Sequence, residues 1–283
     1  MSERFRAFSF VDRITHCAGG RIEGEFTVPA RATRFPASLM AEAVGQLAAW
    51  SAMSTLDFAW RPVAGLAAET RYQRIAVPGQ TLKLEADVAR CDAEAVAYSG
   101  RAFLDAGCAL ELVDCVGPML PMTEFDEPAA VRGDFETLRS TGAATDRFGG
   151  VPAPRIDVLD HAAGERMRAT LHVPQADEVP YFADHFPRRP VFPGTLLLDA
   201  LAGLAVQVAG EALPGHTPTA LMPTRVGNVK IRSFTAPGTA LELEIELAER
   251  EADRARLKLS ARNEGKTVAT ARIEVGPRSR GRA

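Results

Sequence analysis

The stretch DHFPRRPVFPGTLLLDALAGLAVQVA, from Asp184 to Ala209, decides how the rest of the chain is read. A polar loop punctuated by Pro187, Pro190 and Pro193 feeds directly into a helix with almost no polar face. A helix that is apolar nearly all round must be enclosed by other elements. The same stretch gathers a histidine in the loop (His185), a glycine where loop becomes helix (Gly194) and a carboxylate further in (Asp199). A histidine, an exposed helix N-terminus and a carboxyl group make a compact set for proton transfer and anion binding.

The enclosing partner is found by following an internal repeat outward. FVDRITH (Phe10 to His16) is similar to IDVLDH (Ile156 to His161), and GRIEGEFTVP (Gly20 to Pro29) to GERMRATLHVP (Gly164 to Pro174). FPASLMAEAVGQLA (Phe35 to Ala48) matches FPGTLLLDALAGLA (Phe192 to Ala205), and RIAVPGQTLKLEADV (Arg74 to Val88) matches SFTAPGTALELEIEL (Ser233 to Leu247). The order is kept throughout, so each half reads as strand, one long helix, then several strands. The strands alternate. Leu241, Leu243, Ile245 and Leu247 interleave with Glu242, Glu244 and Glu246, and Met167, Ala169, Leu171 and Val173 with Arg168, Thr170 and His172. Such strands have one buried and one wet face. Pro78-Gly79 and Pro237-Gly238 are turn signals ahead of the long strands. The Leu39 to Met53 segment is apolar nearly all round, like the helix beginning near Gly194. A curved antiparallel sheet wrapped round a central helix satisfies both elements, and the class is α+β.

The expected division is an N-terminal domain over 1–117, a linker over 118–153, a C-terminal domain over 154–277 and a disordered tail over 278–283. The linker is rich in proline and glycine, with a short helical turn at DFETLR. A connector this long docks on a surface rather than flapping free. Apolar residues make up 46% of the 283, enough for a full core, and the net charge of -3 gives no reason to expect nucleic acid. Cys17, Cys91, Cys108 and Cys115 show no C-x-x-C spacing, so neither a metal site nor a disulfide framework is indicated. The start has no apolar run of secretory length, and the Gly194 to Gly210 stretch is short for a membrane span and interrupted by Asp199. A soluble cytoplasmic protein is expected. No P-loop, G-x-G-x-x-G, G-x-S-x-G or H-E-x-x-H pattern is present.

HFPRRPVFPGTLLLDA resembles the H-F-P-x-x-P-x-x-P-G-x-x-x-x-(E/D)-A signature of bacterial 3-hydroxyacyl-[acyl-carrier-protein] dehydratases, with His185, Phe186, Pro187, Pro190, Pro193, Gly194, Asp199 and Ala200 in place. The resemblance is strong in the second half and weaker in the first. It implies the hotdog fold, here as a tandem double hotdog in which one chain supplies its own pseudo-dimer. It also implies dehydration of 3-hydroxyacyl thioesters to trans-2-enoyl thioesters in fatty-acid or polyketide-like synthesis. The implied partner is acyl carrier protein, with no cofactor and no metal, and the assembly is a monomeric pseudo-dimer or a homodimer of double hotdogs. A neutral histidine serves such chemistry as base, a carboxyl group kept protonated as acid, and helix N-terminal N–H groups receive the thioester oxygen. Gly194 supplies that oxyanion position, and Phe192, Pro193 and Thr195 are placed at the substrate.

The two halves differ at the loop. Only ARATR separates Pro29 from Phe35, whereas seventeen residues carrying His185 separate Pro174 from Phe192. Glu42 aligns with Asp199, and Gln46, in the position of Gly203, fits the family's E-A-x-x-Q helix pattern. In dimeric members the histidine of one hotdog works with the carboxylate of the other. Carried over, that rule pairs His185 with Glu42, with Gln46 supporting, and leaves Asp199 as a second or vestigial carboxylate. Isomerising members are among those with aspartate at the signature position, but Asp199 is not the expected partner of His185, so no isomerisation is inferred. Arg188 and Arg189, like Lys230 and Arg232, read equally as contacts for an acidic carrier protein or as solvated loop tips. His16, His161, His172 and His216 lack a comparable context. A hotdog thioesterase, a CoA-linked enoyl hydratase and a non-catalytic acyl-binding protein are the alternatives on this fold.

Overall fold

The computed structural model describes residues 7–105 and 107–278. The first half runs β1 (Arg13–Ala18), β2 (Arg21–Thr27), α1 (Ser38–Thr55), β3 (Trp60–Pro62), β4 (Leu66–Tyr72), β5 (Thr81–Cys91), β6 (Ala95–Leu104) and β7 (Gly107–Pro121). After α2 (Pro128–Arg139), the second half runs β8 (Arg155–Ala162), β9 (Arg166–His172), α3 (Tyr181–Asp184), α4 (Gly194–Ala212), β10 (Leu221–Ile231), β11 (Ala240–Arg250), β12 (Ala255–Asn263) and β13 (Lys266–Pro277).

The strands form one antiparallel sheet in the order β1-β2-β5-β6-β7-β4-β10-β13-β12-β11-β9-β8, with β3 pairing on β7. Read from either edge to the middle, the two halves follow the same order. They meet where β4 pairs with β10, Thr70 opposite Val226 and Ala67 opposite Val229. Beside that seam Glu69, only 9% exposed, takes Arg71 from its own strand and Arg225 from the other half. A buried carboxylate needs such partners, because an unpaired charge there is strongly destabilising.

The expected alternation is present. Leu241, Leu243 and Ile245 are buried and Glu242 and Glu246 exposed, and Met167, Ala169 and Leu171 are buried on β9. The apolar faces close over the helices, with α1 against β5 and β6, and α4 against β11, β10 and β12. Leu39, Val44 and Leu47 on α1, and Leu201, Ala205 and Val208 on α4, are fully buried. Each helix therefore keeps only a narrow unburied face, and the two helices contact one another. Gly79 and Gly238 take φ of +91° and +74°, which suits the Pro-Gly turns that lead into β5 and β11. By length and composition α4 alone among the described helices is apolar enough to cross a membrane, and half of that window is buried inside the protein.

The connector departs from expectation in two ways. Strand β7 keeps regular pairing with β6 and β3 as far as Pro121, inside the stretch expected to be linker. DFETLR is the end of a twelve-residue helix, not a single turn. Val131, Phe135 and Leu138 form its buried stripe, and Phe135 stacks on Trp50 of α1 at 6.1 Å. The spacing of those three is helical, but short apolar stripes among prolines and glycines are easily read as loop. The connector does dock. Ala143 N–H donates to Asp12 O (2.7 Å), Arg147 pairs with the Asp12 carboxylate (3.2 Å), and Val151 N–H donates to Arg34 O (3.2 Å). Phe148 lies among Phe10, Phe26 and Phe35. It gives Phe35 the neighbouring ring that Tyr181 gives Phe192 in the second half. The connector thus covers ground that the first half's short 30–34 link leaves open. Residues 279–283 of the expected tail lie outside the described residues; Arg278 donates through Nε to Thr219 O (3.0 Å).

Candidate active site

His185 stands at the C-terminal end of α3, in the loop joining β9 to α4. Its backbone is fixed on both sides. The His185 N–H donates to Tyr181 O (3.0 Å), and Val191 N–H donates to His185 O (3.1 Å). The His185–Phe186 peptide bond is cis. Nδ1 of the ring is 2.9 Å from Val191 O. A carbonyl only accepts, so Nδ1 carries the proton of the neutral ring and Nε2 holds the free lone pair. Phe186 stacks on the ring at 4.2 Å and Phe8 meets it edge-on at 5.2 Å. Arg61 in turn places its guanidinium 4.4 Å from the Phe186 ring centre. Burial lowers the His185 pKa below the usual 6.5, the Glu42 charge and the Val191 bond oppose that, and Arg61 adds to it. His185 is therefore held toward its neutral form, and the carboxylate whose charge acts on it is Glu42.

Glu42 lies on the unburied face of α1 and is gripped from both halves. Thr195, the second residue of α4, donates its hydroxyl to Glu42 Oε2 (2.8 Å), and Gln46, one turn on, donates to Oε1 (3.0 Å). Gln46 is itself anchored, accepting from Phe10 N–H (2.8 Å) and donating to Phe8 O (3.1 Å). These bonds leave the carboxyl group one orientation.

His185, Glu42, Gly194, Thr195 and Phe192 line one cavity of about 580 Å³, set between the two helices and the strands over them. Gly194 opens α4, where the first N–H groups have no partner inside the helix. A Cβ on Gly194 would meet Ile231 at 3.5 Å, an ordinary contact, so the protein itself tolerates a side chain there. The space that glycine leaves clear belongs to the cavity. Pro193 sits between two residues of the cavity wall, Phe192 and Gly194. It is buried as the residue before α4, and its carbonyl takes Leu196 and Leu197 N–H at 3.0 and 3.1 Å. Its fixed φ suits the entry to a helix, which accounts for its place in the motif.

Asp199 meets an arginine, not a histidine. Arg34 pairs with its carboxylate, and its charge is felt by the buried Tyr72. Burial raises the Asp199 pKa, against the pull of Arg34. Gly203, in the position matching Gln46, faces open space, with nothing within 4 Å of an added Cβ. Asp199 lines the same cavity, but its carboxylate is taken by Arg34, and Gly203 offers no counterpart of the Gln46 bond to Glu42. The loop arginines are tied to the connector, Arg188 to Glu127 and to Thr123 O (3.1 Å), and Arg189 to Glu124 (2.7 Å). Arg232 donates to Thr270 (3.0 Å), while Lys230 is exposed. His161 bonds Glu211 (2.8 Å) and His172 bonds Asp157 (2.7 Å), both away from the cavity.

Residues 155–272 match the model of the FabA-like domain. The 3-hydroxyacyl-[acyl-carrier-protein] dehydratase FabZ of Pseudothermotoga lettingae is 37% identical over 129 residues, covering 45% of this chain and 87% of that protein. The FabZ of Zymomonas mobilis is 32% identical over 150 residues, covering 52% and 92%. Among solved structures, the tesB protein of Mycobacterium avium subs. paratuberculosis superposes with a TM-score of 0.61 at 14% identity, over 93% of this chain and 95% of that one. A hot dog fold protein of Alicyclobacillus acidocaldarius gives 0.54 at 12%, over 96% and 98%. At such identities the structural likeness speaks for the fold alone, a double hotdog spanning both halves. With the family model matching the half that carries His185 and Gly194, and with relatives of 32% and 37% identity matched over most of their own length, the chain belongs to the FabA/FabZ-like hotdog family.

Proposed function

We propose that this protein dehydrates 3-hydroxyacyl thioesters borne on acyl carrier protein, at one site built by both halves. The observation that carries the reading is the cavity in which a neutral, oriented His185 shares space with a braced Glu42 at the open end of α4. His185 Nε2 takes the proton from C2, and the C–H pair becomes the C2–C3 double bond as the C3–O bond breaks. The Glu42 carboxyl group gives a proton to the departing oxygen, so water leaves and a trans-2-enoyl thioester remains. The proton on His185 then returns to Glu42 through solvent. The Gly194 and Thr195 N–H groups hold the thioester oxygen while negative charge builds on it. Thr195 and Gln46 keep the acid aimed, and Arg34 holds Asp199 out of the chemistry. Residues 1–117 supply the acid and 154–277 the base and oxyanion donors, with 118–153 covering the first half. A cytoplasmic setting fits a carrier-protein substrate.

Incubation with 3-hydroxyacyl- and enoyl-carrier protein tests the reading, through loss or gain of one water by mass. Thioester cleavage instead of water exchange would favour a thioesterase. No change in either substrate would favour an acyl-binding protein.

The acid limb of kcat/KM follows from His185. The base must be neutral, and activity falls as pH drops through the free enzyme's pKa. Burial lowers that pKa, so the limb is expected below pH 6.5. A limb above 6.5 in the pH profile would contradict a buried neutral base.

A further inference from the structure

The His185 loop and the Glu42 helix belong to different halves, yet one short segment touches both. Residues 7–10 lie before β1. The N–H groups of Ala7 and Phe8 both donate to one carboxylate oxygen, Asp184 Oδ2, at 2.7 and 2.8 Å, and the Ser9 hydroxyl stands 3.4 Å from it. Asp184 is the residue immediately before His185. On its other side the same segment holds Gln46, through Phe8 O (3.1 Å) and Phe10 N–H (2.8 Å), and Gln46 bonds Glu42. Between these anchors the Phe8 ring packs on His185 at 5.2 Å and on Tyr181 at 6.0 Å. Arg147, bonded to Asp12, adds a positive charge that acts on Asp184 as well.

We propose that residues 7–10 form a clasp that sets the distance between the base and the acid, with Asp184 and Phe8 as positioning residues. This rests on the dehydratase reading of the same cavity. The physical case is one of register. His185 is secured locally by Tyr181 and Val191, but nothing in those bonds relates it to a helix of the other half. The clasp does, through two backbone N–H groups that share one acceptor oxygen of Asp184. A misplacement of about 1 Å is enough to lower turnover by up to about a hundredfold. Asp184 and Phe8 do not line the cavity, so substrate affinity should not depend on them.

Steady-state kinetics on 3-hydroxyacyl-carrier protein separates positioning from simple stability. Asp184→Ala is expected to lower kcat by about tenfold or more, with KM nearly unchanged. Asp184→Asn, which keeps an oxygen to accept both N–H groups, should restore most of kcat. Phe8→Leu keeps both N–H donors and the apolar bulk but loses the ring against His185; it should lower kcat several-fold at unchanged KM, and it stands as the independent test where Asp184→Ala does not fold. Wild-type kcat in both Asp184→Ala and Phe8→Leu, or a loss expressed only in KM, overturns the clasp. His185→Gln is run alongside. If it is as active as wild type, the dehydratase reading itself falls; if it is inactive while the clasp variants turn over normally, only the clasp falls.

Discussion

Glu42→Gln is expected to remove turnover by about a hundredfold to ten-thousandfold, the range for losing a general acid, while Asp199→Asn stays close to wild type. Gln is nearly isosteric with Glu, and its oxygen still accepts from Thr195, which holds Glu42 Oε2 at 2.8 Å. The cavity shape survives and the transferable proton does not. Asp199 differs at each of these points. Its carboxylate is taken by Arg34, its helix has Gly203 where α1 has Gln46, and its link partner in the first half carries no histidine. Asn at 199 still accepts from Arg34. Turnover measured for both variants on the same carrier-linked substrate decides the matter, and the reverse ranking, with Asp199→Asn inactive, would reassign the acid.

His185→Gln is expected to produce a loss of similar size. The amide of Gln can still donate to Val191 O, which His185 Nδ1 meets at 2.9 Å, so the loop keeps that bond. What disappears is the basic Nε2, and no other described histidine lines the cavity. The residual rate would come from the oxyanion donors and binding alone. A thermal-unfolding midpoint close to wild type, with turnover reduced by orders of magnitude, is the expected pair of results. Near-normal turnover would mean that another group removes the proton.

Much of the architecture was legible in the residues themselves. Period-two alternation marked β9 and β11, all-round apolarity marked α1 and α4, and the in-order repeat foretold two matching halves around one seam. The loop signature drew attention to His185 and Gly194, and both line one cavity with Glu42 and Asp199. Other features left no such trace. Thr195 bonding Glu42, Asp184 taking two N–H groups from residues 7–8, and Arg34 capping Asp199 are contacts between residues far apart in sequence. Short polar side chains in long-range pairs create no periodicity. The α2 helix leaves a weak trace because its stripe of Val131, Phe135 and Leu138 sits in a proline- and glycine-rich stretch.

The double variant Glu42→Gln/His185→Gln, compared with its two parents, asks whether the two residues serve one site. Groups that act as a unit in one step are strongly non-additive. Its kcat/KM should be no lower than that of the slower single variant. If instead the two losses multiply, as they do for independent positions, His185 and Glu42 do not share a reaction, and a single site built across the two halves is excluded.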